Sequence, residues 1–173
     1  IRDVERSRGL GDVYKRQIIG DNVIIKSFSY LEGVNIKKGA LIGPFARIRP
    51  QSNIGENSKV GNFVELKNAN IADNVKINHL SYIGDANLGS GTNICAGTIT
   101  CNFDGVEKYK TLIGKSVFIG SNTSLVAPIE ISDNSYIGSG SVITKDVPTN
   151  SLALSRSEQV TKDNWVKKRI TKK

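Results

Sequence analysis

The chain has no methionine, one histidine, one tryptophan, two cysteines and four prolines among 173 residues. Each scarcity excludes something. With no Met at its head, Ile1 reads as other than a translated start, so the beginning is expected to be cut or replaced. A single histidine, His79, rules out a multi-histidine metal centre. Cys95 and Cys101 are too few for a disulfide scaffold, and a Cys-x5-Cys pair without His partners is a poor metal site. They read as two reduced thiols of a cytoplasmic protein. No apolar run approaches the roughly 20 residues of a membrane span, and no signal pattern opens the chain. The apolar fraction, 38%, is low for a packed globule and suits a thin core.

Positive charge is in excess, at 24 Lys and Arg against 16 Asp and Glu, but it is not spread evenly. Residues 162–173 carry Lys162, Lys167, Lys168, Arg169, Lys172 and Lys173 against Asp163 alone. The body between residues 18 and 161 is close to neutral. A nucleic-acid protein needs a basic face on its folded body, so no nucleic-acid partner is expected. A basic tail suits solubility or one anionic ligand.

What the sequence does have is a repeat. Aliphatic residues recur every six positions: Ile19, Ile25, Leu31; Ile36, Ile42, Ile48, Ile54, Val60, Leu66; Ile71, Ile77, Ile83; Leu88, Ile94; then Ile113, Ile119, Leu125, Ile131, Ile137, Ile143. Small or short residues such as Ala40, Ala46, Ser58, Thr92, Thr123 and Ser141 follow four positions after an aliphatic. A 3.6-residue helical period cannot hold every sixth residue on one face. Short strands joined by turns can: the aliphatic points into a narrow core and Gly or Asn relaxes the turn. Three hexapeptides make one triangular coil, and about seven coils stack by parallel hydrogen bonding. One stretch, Thr100–Lys110, breaks the period and is expected to leave the stack as a loop. The expected organisation is a non-repeat, non-native segment at 1–17, an all-β parallel solenoid at 18–147 and a basic tail at 148–173.

Imidazole is suited to general-base work near neutral pH. His79 is the sole candidate. Arg49 and Lys67 lie 18 residues apart, one full coil, so they stack on one face as a pair of cations.

The segments IGPFARIRP (42–50), VGNFVELK (60–67), NHLSYIGDANLGSGTNICAGTITCNFDG (78–105), FIGSNTSLVAP (118–128) and LALSR (152–156) carry a resemblance in order and spacing. Over roughly residues 18–173 the chain resembles the acetyltransferase half of the bifunctional N-acetylglucosamine-1-phosphate uridylyltransferase/glucosamine-1-phosphate N-acetyltransferase family, one of the hexapeptide-repeat acyltransferases. The resemblance implies a left-handed parallel β-helix and a homotrimer. It implies acetyl transfer from acetyl-CoA to glucosamine 1-phosphate, on the route to UDP-N-acetylglucosamine, peptidoglycan and lipopolysaccharide. Nothing in the chain resembles the family's uridylyltransferase half, to which its Mg²⁺ site belongs, so no metal is expected here.

Residue by residue, the resemblance makes His79 the general base. It assigns Arg49, Lys67, Tyr82, Asn93 and Lys108 to the amino-sugar phosphate, and Ala96, Asn102, Phe103, Ser121, Ser139 and Arg156 to acetyl-CoA. Phe103 and Ser139 depart from the family's common Tyr and Ala. Glu65 reads as the carboxylate that orients His79 or receives the sugar amine, with an ion pair to Lys67 or Arg49 as an equal alternative. The Thr100–Lys110 loop is expected to reach a neighbouring subunit. Two other functions stand beside this one: a hexapeptide acetyltransferase for another acceptor, and a non-catalytic solenoid module.

Overall fold

The computed structural model describes residues 17–166. Residues 1–16 of the N-terminal segment expected to be non-native, and residues 167–173 of the basic tail with Lys167, Lys168, Arg169, Lys172 and Lys173, lie outside the described residues. The fold is the expected all-β, left-handed parallel β-helix. Every strand pairing between named strands is parallel, and partners are about one coil apart in sequence.

The period-six aliphatics become three inward columns. The first face stacks Ile19, Ile36, Ile54, Ile71, Leu88, Ile113, Ile131 and Val147. The second stacks Ile25, Ile42, Val60, Ile77, Ile94, Ile119, Ile137 and Ala153. The third stacks Leu31, Ile48, Leu66, Ile83, Thr100, Leu125 and Ile143. From the second rung upward nearly all of these are buried, and they form one continuous core. The small residues four positions later are buried beside them, and their hydroxyls close the corners. Ser58 Oγ donates to Ala72 O at 2.7 Å, Thr123 Oγ1 to Gly120 O and Ser141 Oγ to Gly138 O, both at 2.6 Å.

The stack has eight rungs, one more than the spacing suggests. Ile131 bridges Val147, and Leu152–Ala153 pairs with Tyr136–Ile137, so strand pairing runs beyond residue 147. Val147 comes four residues after Ile143 and Pro148 follows it, which hides this last rung from a six-residue count.

The extrusion also begins later than expected. Thr100 stays in the third column, buried, with Cys101 paired to Val126. The chain leaves at Asn102 and returns at Thr111, which pairs with Ala86. Where the ladder splits, the Thr100 hydroxyl takes over: Oγ1 accepts from Gly84 N–H at 2.8 Å and donates to Gly84 O at 3.0 Å. A hydroxyl in an aliphatic column therefore has a structural cause.

Candidate active site

The corner between the second and third faces carries the central group. At its apex, successive rungs place Phe28, Phe45, Phe63, Leu80, Gly97, Asn122 and Gly140 one above another, all with positive φ. One position earlier in each rung come Asn62, His79, Ala96, Ser121 and Ser139, joined through Leu80 N–H to Asn62 O, Gly97 N–H to Leu80 O, Asn122 N–H to Ala96 O and Gly140 N–H to Ser121 O. Arg156 closes the series by donating to Ser139 O at 3.1 Å. His79 and four residues assigned to acetyl-CoA thus lie along one corner of the stack.

The apex changes character at His79. Below it the side chains are Phe28, Phe45, Phe63 and Leu80, exposed despite their size. Phe28 and Phe45 stack at 5.0 Å, and Phe45 and Phe63 at 5.3 Å. Above it the apex residues shrink to Gly97, Asn122 and Gly140, a run of small side chains along the corner toward Arg156.

His79 is exposed at the end of its strand, directly over Asn62. Asn62 Oδ1 accepts from His79 Nδ1–H at 2.6 Å. This fixes the tautomer and leaves the Nε2 lone pair free to accept a proton. Asn62 was missed in the sequence. The signal was present, since it lies 17 residues, one coil, before the only histidine.

The cations stand beside this corner on the third face. The register places Arg49 next to Lys67, one rung of about 4.8 Å apart. Arg49 donates to Glu65 Oε1 at 3.2 Å, and Arg47 lies 3.8 Å from the same oxygen. Glu65 is therefore held by two arginines, and the ring of His79 is oriented by Asn62. The reason is register: Arg47 sits directly beneath Glu65, while His79 lies across a corner on the next rung.

Lys67 Nζ donates to Asp85 Oδ2 at 3.2 Å. Burial disfavours the Lys67 charge, but its bond and Coulombic attraction to Asp85 outweigh this and raise its pKa. Tyr82 pairs with Glu65 and folds back over Gly84, where any Cβ would collide with the Tyr82 hydroxyl. Asn93 is not brought to this cluster. It stands on the second face between Lys76 and Phe118, with its amide on Cys95 Sγ at 3.4 Å.

Of the loop residues, Phe103 is exposed and bridges Lys108. Asn102 is buried and donates to Asp85 Oδ2. Asp104 Oδ1 accepts from the Glu107 and Val106 amides, which lowers the pKa of its carboxyl. Among the described residues no group of three or more His, Cys, Asp or Glu could hold a metal, and no helix is long and apolar enough to cross a membrane.

The family model described as the GMPPB C-terminal domain matches residues 30–125. The chain belongs to this family. A second model, the bacterial transferase hexapeptide of six repeats, matches residues 110–145. Among curated relatives, the Bifunctional protein GlmU of Acidithiobacillus ferrooxidans is 54% identical over 95% of this chain and 36% of its own length. That of Rhizobium rhizogenes is 57% identical over 79% of this chain and 30% of its own. The chain thus spans about a third of the length of the relatives it matches. Among solved structures, the UDP-N-acetylglucosamine acyltransferase from Campylobacter jejuni aligns over 82% of this chain and 68% of that one, at 17% identity and a TM-score of 0.49.

Proposed function

We propose that the chain transfers acetyl from acetyl-CoA to the 2-amino group of glucosamine 1-phosphate, giving N-acetylglucosamine 1-phosphate. The observation that carries this reading is the corner series. A base with a free Nε2, His79, ends a run of small residues, and two stacked cations stand on the adjoining face. From His79 to Ser139 the run spans three rungs, about 14 Å, and Arg156 lies at its far end. An extended thioester arm suits that length, with its phosphates toward Arg156.

In this reading Arg49 and Lys67 bind the acceptor's phosphate, and Tyr82 offers a hydroxyl to the sugar. His79 Nε2 takes a proton from the amine as its nitrogen attacks the thioester carbonyl. The tetrahedral adduct then collapses, the C–S bond breaks and coenzyme A leaves as its thiol, taking up the proton held on His79 Nε2. The wider role is the supply of UDP-N-acetylglucosamine for peptidoglycan and lipopolysaccharide in the cytoplasm.

The same reading makes the working unit a homotrimer. Four bulky apolar side chains, Phe28 at 78% exposure, Phe45, Phe63 and Leu80, occupy left-handed corner positions. Gly, Asn, Gln, Asp and Ser fill the left-handed corner positions elsewhere in the stack, because β-branched and bulky side chains are disfavoured there. Four such exceptions in succession support an interface between copies. It also gives Asn93, on the second face, a route to a neighbour's acceptor.

The test is thiol release from acetyl-CoA with and without glucosamine 1-phosphate. Release that requires this acceptor is the expected result. Equal release with the unphosphorylated amino sugar would favour a different acceptor, and no release with any amine would favour a non-catalytic module.

A further inference from the structure

We propose that Asp85 is the positioning residue of this site: one buried carboxylate orients the Lys67 ammonium and anchors the neck of the 102–110 loop, so clamp and loop are held as one unit. This rests on the reading of Arg49 and Lys67 as the phosphate clamp.

The sequence alone shows Asp85 as a turn residue. It occupies the corner between the third and first faces, in the column Gly33, Gln51, Asn68, Asp85, and all four have positive φ. Gly33 and Asn68 show that the corner needs no charge. Asp85 is nevertheless only 8% exposed, and burying a carboxylate is costly unless donors surround it. They do, and they come from the rungs on both sides. Asn68, from the rung below, donates to Oδ1 at 2.8 Å. Lys67 donates to Oδ2 at 3.2 Å, and Asn102, from the rung above, donates to the same oxygen. Burial opposes ionisation of Asp85, but the bonds from Asn68, Asn102 and Lys67, with the Lys67 charge, outweigh it and lower the carboxyl's pKa.

Two of these donors have a second role. Lys67 carries its charge on a flexible four-carbon stem, and binding an anion would otherwise cost the ordering of that stem. With one N–H on Asp85, Lys67 is already aimed and keeps two donors for phosphate oxygens. Asn102 is the first residue of the loop, and its carbonyl accepts from Tyr109 N–H at 2.8 Å, which closes the neck. Lys108 is carried by that loop, where it bridges Phe103. The same carboxylate therefore sets the Lys67 cation and the neck of the loop that carries Lys108. Arg49 has the matching arrangement, with Glu65 as its partner.

A double-mutant cycle tests this on the full chain. Acceptor and acetyl-CoA KM are measured for the wild type, Asp85→Ala, Lys67→Ala and the double variant, with thermal unfolding of each. Asp85→Ala should raise the acceptor KM about tenfold and leave the acetyl-CoA KM unchanged. In the Lys67→Ala background it should add little, since coupled residues are non-additive. Trypsin cleavage after Lys108 and Lys110, without ligand, should be faster in Asp85→Ala and Asn102→Ala than in Lys67→Ala.

Additive effects on the acceptor KM, equal shifts in both KM values, or unchanged tryptic rates in Asp85→Ala would each overturn the proposal. If Asp85→Ala does not fold, Asp85→Asn replaces it in the same cycle. It keeps an acceptor for Asn102 while removing the charge that holds Lys67, so the acceptor KM should rise without loss of tryptic resistance. Failure of the wild type to acetylate glucosamine 1-phosphate would overturn the acceptor reading alone, and the tryptic comparison would still decide the anchoring.

Discussion

His79 stands one rung above Asn62 and gives it the Nδ1 proton at 2.6 Å, which leaves the opposite ring nitrogen bare. Removing either residue should therefore damage the same step to different degrees. His79→Ala should lower kcat by ~10²–10⁴, the usual worth of a positioned base. Asn62→Ala should cost about tenfold, the scale of one lost hydrogen bond of about 1.4 kcal/mol. Both should leave KM values and unfolding temperature near the wild type, because both side chains lie outside the core. Steady-state kinetics with thermal melts checks this, and a wild-type kcat in His79→Ala would remove His79 from the role.

Arg49→Ala should raise the acceptor KM and leave that of acetyl-CoA unchanged. It also leaves Glu65 with Arg47 alone at 3.8 Å. Arg49→Lys should recover only part of the loss, since a lysine cannot grip a phosphate through two parallel N–H groups. Equal shifts for both substrates would mean structural damage.

Two buried threonines flank the loop and should respond oppositely to the same change. Thr100→Val strips Gly84 N–H of its partner and should cost about 1–3 kcal/mol. Thr111 is equally buried, but its hydroxyl has no hydrogen-bond partner. Thr111→Val should be neutral or stabilising. Denaturant melts of the pair give the comparison directly.

Acid stability should carry the signature of Asp85. Its pKa is lowered in the folded state, so its contribution is fully present above the ordinary value of 3.8 and is lost as the pH falls through the lower, folded value. Lys67 is the converse: its pKa is raised, so its contribution holds below 10.5 and fades as the pH rises through the folded value. Asp85→Ala should flatten the fall in stability below about pH 4 relative to the wild type. Unfolding temperature measured from pH 2.5 to pH 6 reads this out, and parallel curves for the two proteins would refute it.

Phe63→Asp should dissociate the proposed trimer while keeping the β spectrum of the stack, because the ring lies outside the core at 55% exposure. Sedimentation and circular dichroism separate the two effects. An intact trimer would move the interface away from the aromatic ridge.

The period-six aliphatics made the core legible, since an inward side chain in a six-residue strand-turn unit has no other place to go. Thr100 and Val147 escaped that count for physical reasons. One is polar because it repairs a split ladder, and the other is off-period because a short corner brings it in early. The site was legible where one coil separates its members, as for Arg49 and Lys67. It was not legible for Asn62 and Asp85. Both types are common at turns, so only the contacts made across rungs distinguish them from ordinary corner residues. For Glu65 the sequence left two readings open, and the structure shows the ion pair with Arg49 at 3.2 Å.

The extruded loop is an insertion in one rung only, and the run of small corner residues above His79 continues rung by rung to Ser139. The stack therefore acts as a molecular ruler graduated in steps of about 4.8 Å. Deleting one hexapeptide triplet between His79 and Ser139 would preserve every inward column yet slide Arg156 one graduation closer to the base. A chain shortened in this way should fold, and it should prefer an acyl donor whose arm is shorter by the same length.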